Sequence, residues 1–315
     1  MHRSVRTKTL DIAYLESGPE AGPPVVLLHG WPSDVHDWDG VVPLLTTHGF
    51  RSFVPWLRGF GPTSFLNPST PRSGQQAALG SDLRDFMDAL GIPAAILVGY
   101  DWGGRAACVV AALWPERVVG LVSITGYNIL NIATTNRPAM AEQEQRYWYQ
   151  WYFHTERGIA GLTQNRRAIA QLLWRLWSPN WKFTEATFNA TALSFDNPDF
   201  VPVSIQSYRH RYGNAAGDPV FESLERSLAS WPAINVPTIV LQGACDGVIP
   251  PTESEDAQRH FGAHYERQVI PVAGHFLSRE TPDVVVQAVQ TLAKKFGSRS
   301  RISPEVNTQD GIPRS

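Results

Sequence analysis

The most chemically specific stretch of the chain is Gly99-Tyr100-Asp101-Trp102-Gly103-Gly104, which follows the apolar run Ala95-Ile96-Leu97-Val98 and precedes a helical pattern beginning near Arg105. A strand-to-helix turn this tight lifts its middle residue to the top of a sheet. It needs small neighbours, because the backbone bends sharply there. The middle residue is a carboxylate, Asp101. A carboxylate attacks saturated carbon and turns its own side chain into an ester, and an aspartate needs no base to activate it. The alternative is that Asp101 only caps the helix that follows, since Asp is a favoured N-cap.

Two further segments complete a reaction scheme. His29-Gly30-Trp31-Pro32 ends the apolar run Val25-Val26-Leu27-Leu28, where a loop would offer the Trp31 N–H to a developing oxyanion. The Trp102 N–H would be the second donor. Gly243-Ala244-Cys245-Asp246-Gly247 places a carboxylate just past a strand end, and Ala273-Gly274-His275-Phe276 places an imidazole in the next exit loop. Nucleophile, acid and His follow one of the three known triad orders. Among nine histidines, only that order singles out His275. Oriented by Asp246, His275 would activate water against the Asp101 ester. Removal of one oxyanion donor typically costs roughly 10²–10³ in rate.

Positioning these groups takes a sheet. Short apolar runs with β-branched residues at 25–28, 52–54, 95–98, 119–124 and 237–241 alternate with helical patterns, and such runs are what strands covered on both faces look like; the last strand is expected at 266–270. The expected class is α/β, with a mostly parallel central sheet flanked by helices. Leu83, Phe86, Met87 and Leu90 have helical spacing and stop at Gly91. After Ile124 the strand rhythm is lost until Pro237, replaced by helical, aromatic-rich sequence. The expected organisation is a core of 1–126 and 233–297, a helical cap of 127–232, and a polar, flexible tail of 298–315.

Composition narrows the class of function. Against 27 Lys and Arg stand 29 Asp and Glu in 315 residues, a net charge of -2 without blocks of like charge, which provides no footprint for nucleic acid or an anionic membrane. Cys108 and Cys245 form no CxxC pair, so no disulfide framework or zinc site is expected. The first residues carry no apolar run of a signal peptide and no segment has the length of a membrane span. The expected location is the cytoplasm. Eleven Trp and nine Tyr, many between 147 and 212, mark a region where aromatic rings bury apolar surface or line a pocket.

HGWP, GYDWGG, the Asp246 loop and the His275 loop, taken in order, resemble the α/β-hydrolase-fold epoxide hydrolases, close relatives of the haloalkane dehalogenases. The resemblance covers residues 20–126 and 233–290. It implies hydrolysis of an epoxide to a vicinal diol through a covalent Asp101 ester, with no metal or organic cofactor. It also implies two cap tyrosines that donate to the ring oxygen. Tyr152, in Gln150-Trp151-Tyr152-Phe153, and Tyr208, in Ser207-Tyr208-Arg209, match the family segments; Tyr149 and Tyr212 are the nearest alternatives.

Haloalkane dehalogenation by the same Asp101–His275–Asp246 set, and a non-catalytic ligand-binding protein, remain open readings. Trp31, where dehalogenases commonly carry Asn, leans toward epoxides. Fluoroacetate dehalogenases carry Arg directly after the nucleophile, whereas this chain has Trp102 and keeps only Arg105. His29, Pro32, Tyr127, Trp148, Trp151 and Phe153 are the expected substrate-lining residues, and together they point to a small apolar epoxide that reacts with water. Monomer and homodimer are both compatible with the sequence.

Overall fold

A computed structural model of the chain describes residues 2–135 and 137–297. Nine strands form one sheet: β1 (Arg3–Arg6), β2 (Leu10–Ser17), β3 (Pro24–Leu28), β4 (Arg51–Pro55), β5 (Ser64–Phe65), β6 (Ala95–Tyr100), β7 (Val118–Ile124), β8 (Thr238–Gly243) and β9 (Tyr265–Ile270). Their order is β1-β2-β4-β3-β6-β7-β8-β9, with β5 pairing on β2. Every neighbouring pair from β4 to β9 is parallel. β6 and β8 are buried at every position, which is why they read as continuous apolar runs rather than as alternation. The antiparallel β1–β2 hairpin is additional to the sequence reading. β1 is the short, exposed run Arg-Ser-Val-Arg, which carries no apolar pattern to betray a strand.

The helices Gln76–Ala89 and Asp101–Leu113 pack on one another, and the last helix, Pro282–Phe296, lies against β7. Between β7 and β8 the described residues form six α-helices, Ala141–Arg146, Trp148–Tyr152, Glu156–Trp177, Glu185–Ala192, Phe200–Arg211 and Glu222–Ala229, with short 3-10 turns among them. The expected tail of 298–315 lies outside the described residues. Among the described residues no helix is long and apolar enough to cross a membrane.

Chain order places the site. β3 sits between β4 and β6, so the connections on its two sides diverge and open a crevice at the strands' C-terminal ends, where ligands bind in open α/β sheets. Leu28 of β3 pairs with Gly99 of β6. The His29-Gly30-Trp31-Pro32 loop and the Asp101 turn therefore leave adjacent strands side by side.

Candidate active site

Asp101 stands at the first position of its helix with a left-handed φ of 50°, and Tyr100 is the N-cap. Asp101 is therefore not a helix cap. A non-glycine residue pays about 1–2 kcal/mol for that conformation, so the surrounding packing must impose it. Glycines let the turn close: a Cβ on Gly103 would collide with the Leu28 carbonyl, and one on Gly30 would stand 2.8 Å from the Asp101 Cβ. The helix begins at Asp101 rather than near Arg105.

The Trp31 N–H donates to Asp101 Oδ1 at 2.7 Å. One carboxylate oxygen is thus held by a backbone donor, and the other stays available for attack. The Trp102 N–H belongs to the first turn of the same helix, and the Trp102 indole Nε1 is buried with no hydrogen-bond partner among the described residues. Asp246 Oδ2 accepts from His275 Nδ1 at 2.8 Å, while its Oδ1 accepts from the N–H groups of Val248 and Ile249 at 2.9 and 2.8 Å. That arrangement fixes the imidazole tautomer and leaves Nε2, buried and without a hydrogen-bond partner among the described residues, as the basic atom. Burial lowers the proton affinity of His275, but the Asp246 carboxylate, with Asp101 behind it, outweighs burial and lifts the ring above its ordinary value.

A cavity of about 280 Å³ opens beside Asp101, bordered by Arg105, Tyr127, Tyr147, Tyr149, Arg211 and Tyr212 among others. A larger groove, about 540 Å³, lies at the opposite ends of the strands beside Gly22, Ile96 and Lys294 and contains none of the triad. Tyr149 reaches the Asp101 cavity from the helix Trp148–Tyr152. Its hydroxyl oxygen accepts from Gln150 Nε2 at 2.9 Å, so its own proton is free to be donated. Tyr208 is fully buried behind the cavity wall rather than bordering it, and stands edge-on to Tyr149 with 5.4 Å between ring centroids, the two phenols interacting with each other. Burial raises both phenols far above their ordinary value, and the nearby Asp101 charge adds to it.

Several expected positions lie away from this cavity. Tyr152 does not border the cavity: its hydroxyl lies against the backbone of Gly161 in the neighbouring helix, where an added Cβ would strike it. Of the six expected substrate-lining residues, Tyr127 alone borders the cavity. His29 is fully buried and spends both ring nitrogens on backbone, Nδ1 on the Gly30 carbonyl and Nε2 on the Leu57 N–H. Pro32 is buried and its carbonyl accepts from Trp174 Nε1 at 2.8 Å. Trp148 and Trp151 are 36% and 37% exposed, with the Trp151 indole donating to Glu144. Phe153 is buried against Trp31 and Tyr208.

The aromatic richness therefore serves packing more than substrate contact. Trp31 is enclosed by Tyr149, Phe153, Trp177, Phe200 and Tyr208, all with centroids within 6.4 Å. Its indole N–H donates to Ser204 Oγ at 2.8 Å. The loop whose Trp31 N–H holds Asp101 is thus the plug that docks the inserted helices on the sheet.

The sequence matches the family described as alpha/beta hydrolase fold over residues 23–282. A solved structure of a candidate epoxide hydrolase from Klebsiella pneumoniae is 44% identical, superposes with a TM-score of 0.90, and covers 93% of this chain and 97% of its own. The chain belongs to the α/β-hydrolase-fold family of epoxide hydrolases. Epoxide hydrolase A of Mycobacterium tuberculosis is 24% identical over 309 residues, 91% of this chain and 95% of that protein. Human epoxide hydrolase 4 is 23% identical over 301 residues, 93% of this chain and 79% of that protein. Within this epoxide hydrolase family member, Arg105 and Arg211 are cavity residues to which the sequence reading gave no role. Their spacing was the available signal. Arg105 lies one helical turn beyond Asp101, and Arg211 one turn beyond Tyr208.

Proposed function

We propose that this enzyme opens an epoxide through a covalent ester on Asp101 and that His275, oriented by Asp246, hydrolyses the ester. The free oxygen of Asp101 attacks a ring carbon and the carbon–oxygen bond breaks. Tyr149 and Tyr208 donate hydrogen bonds to the departing oxygen, and one supplies its proton. His275 Nε2 then takes a proton from water, and the hydroxide adds to the Asp101 carboxyl carbon. The negative charge gathers on Oδ1, beside the Trp31 N–H, with the Trp102 N–H as second donor. Collapse releases a vicinal diol, restores the carboxylate and returns the protons. The helices between β7 and β8 act as the cap that carries both tyrosines.

The observation that carries this reading is the pairing of Tyr149 and Tyr208 beside Asp101, two phenols that burial keeps protonated. A ring oxygen leaving as an alkoxide needs such donors, whereas a departing halide does not need a proton. Commitment of the Trp31 indole N–H to Ser204 removes one potential halide donor. Dehalogenation stays as a second reading because the Trp102 indole N–H is unpaired and close to Tyr208.

A single-turnover reaction of an epoxide in ¹⁸O-water separates them. Diol formation with label entering the peptide that contains Asp101 supports the ester route. Halide release from a haloalkane with no diol from any epoxide would move the protein to the second reading.

A further inference from the structure

The buried wall of the Asp101 cavity contains two guanidinium groups with no acidic partner among the described residues, while a third, Arg137, is exposed at its rim. Arg105 Nε and Nη1 are buried, and among the described residues neither makes a hydrogen bond. Arg211 lies over the Tyr208 ring, 4.8 Å from its centroid, and donates to Gln150 Oε1 at 3.3 Å. Neither arginine forms an ion pair among the described residues, although Asp101, Glu144 and Glu253 border the same cavity. Glu144 instead accepts from the Ala139 N–H and the Trp151 indole at the outer side, and Glu253 is exposed. A buried cation left without a hydrogen-bonded anion is costly, and here the cost is placed next to the nucleophile.

Helical side chains lean toward the N-terminus, and residues four apart lie on one face with Cβ atoms about 5–6 Å apart. Arg105 therefore extends back toward Asp101 along the cavity wall. Gln150 ties Arg211 into the same constellation: its Oε1 also accepts from the Tyr212 hydroxyl at 2.8 Å, while its Nε2 donates to Tyr149. Two arginines and one nucleophilic carboxylate leave a single unmatched positive charge in the buried part of the cavity. One monoanionic group balances it.

We propose that this cavity takes an epoxide with a carboxylate on the ring or one carbon from it, held by Arg105 with Arg211 as the second cation. The planar fork of a guanidinium matches a carboxylate in bidentate fashion. Holding the carboxylate there sets the ring carbon over Asp101 and the ring oxygen toward Tyr149 and Tyr208. Opening with water yields a dihydroxy acid, with no other reactant consumed. The small apolar epoxide expected from the aromatic composition gives way to a small acidic one, in keeping with a cavity of about 280 Å³. Burial, with the facing Arg211 charge, draws Arg105 down to about 10, so it stays charged at neutral pH. The assignment rests on the epoxide reading of the site.

The test compares trans-2,3-epoxybutanoate with trans-2,3-epoxybutanamide, and measures butanoate binding by thermal shift. The native enzyme is expected to favour the acid by about 10- to 100-fold in kcat/KM, the worth of a charge-assisted pair. Arg105→Gln and Arg211→Gln should each pull that ratio toward one, Arg105→Lys should restore part of it, and butanoate should stabilise the native chain more than either Gln variant. Equal turnover of acid and amide by the native enzyme, or a ratio that Arg105→Gln leaves intact, would overturn the proposal, with Arg105 then a counter-ion for Asp101. Failure to turn over either epoxide while butanoate still binds through Arg105 would instead sink the epoxide reading and keep the anion site.

Discussion

Trp177 holds His275 in two ways at once: its indole stands edge-on to the imidazole with 5.1 Å between ring centroids, and its carbonyl accepts the His275 N–H at 3.1 Å. The same carbonyl accepts the Gly247 N–H at 2.9 Å. The end of the inserted helix Glu156–Trp177 therefore ties the Asp246 loop to the His275 loop. Trp177→Ala should cost about 3–5 kcal/mol of stability, as deletion of a buried Trp does. In the variant that still folds, kcat should fall more than KM rises, because the loosened ring serves the hydrolytic step. Denaturant titration and steady-state kinetics read the two effects separately.

Gly247→Ala tests the stitch without touching a ring. A Cβ there would run into the Leu176 carbonyl, so the helix end and the Asp246 loop must separate. Activity should drop by about tenfold or more, following the 1.4 kcal/mol that a tenfold change represents. Unchanged kinetics would show that the loops need no such tie.

The two steps of the proposed reaction fail differently when their residues are removed. Asp101→Asn should abolish diol formation with no covalent species, with losses on the order of 10⁴ or more in kcat. His275→Gln should still open the ring but stall at the ester, and intact-protein mass spectrometry should then find the chain heavier by the mass of one substrate. An unmodified His275→Gln protein after incubation with a turned-over substrate would contradict the division of labour.

The tyrosine assignment is checked by three phenylalanine variants. Tyr149→Phe and Tyr208→Phe each remove one donor to the leaving oxygen and should lower kcat/KM by about 10- to 100-fold. Tyr152→Phe deletes a hydroxyl that rests on the Gly161 backbone, and should leave kcat/KM close to the native value. The reverse pattern would return the role to Tyr152.

The pH profile follows from the direction of the His275 shift. The ring acts as a base when neutral and its proton affinity is raised by Asp246 against the pull of burial, so kcat should rise with pH through a midpoint above the ordinary histidine value and be lost below it. Asp246→Asn removes the carboxylate and should move that midpoint to lower pH while reducing the plateau. Burial keeps Tyr149 and Tyr208 protonated beyond pH 10, so their ionisation should not cut the profile before then.

The chain's own order of residues determined the sheet and the turn, and brought Asp101, Asp246 and His275 forward as candidates, because the constraints there are local. The small residues around Asp101 are contiguous, the buried strands announce themselves as apolar runs, and Asp246 sits just beyond one of them, whereas His275 follows the partly exposed strand Tyr265–Ile270 and was singled out only by its place in the order. The hairpin strand β1 escaped because an exposed edge needs no apolar residue.

Which side chains face the nucleophile was decided only by the tertiary structure. Tyr149 and Tyr152 share one short helix and similar surroundings in sequence. The ring of Tyr149 is drawn inward by stacking on Trp31, with 5.6 Å between centroids, while the backbone of Gly161 receives the hydroxyl of Tyr152. Trp31 is distant in sequence from Tyr149, while Gly161 lies on the next helix after Tyr152, turned back against it. The same holds for the aromatic cluster, which composition marked as a pocket and packing used as an interface, and for Arg105 and Arg211, which meet at one cavity only because the inserted helices fold back over β3 and β6. Local sequence specifies backbone geometry and chemistry at a point, whereas the direction of a side chain depends on the long-range partner that fills the space beside it.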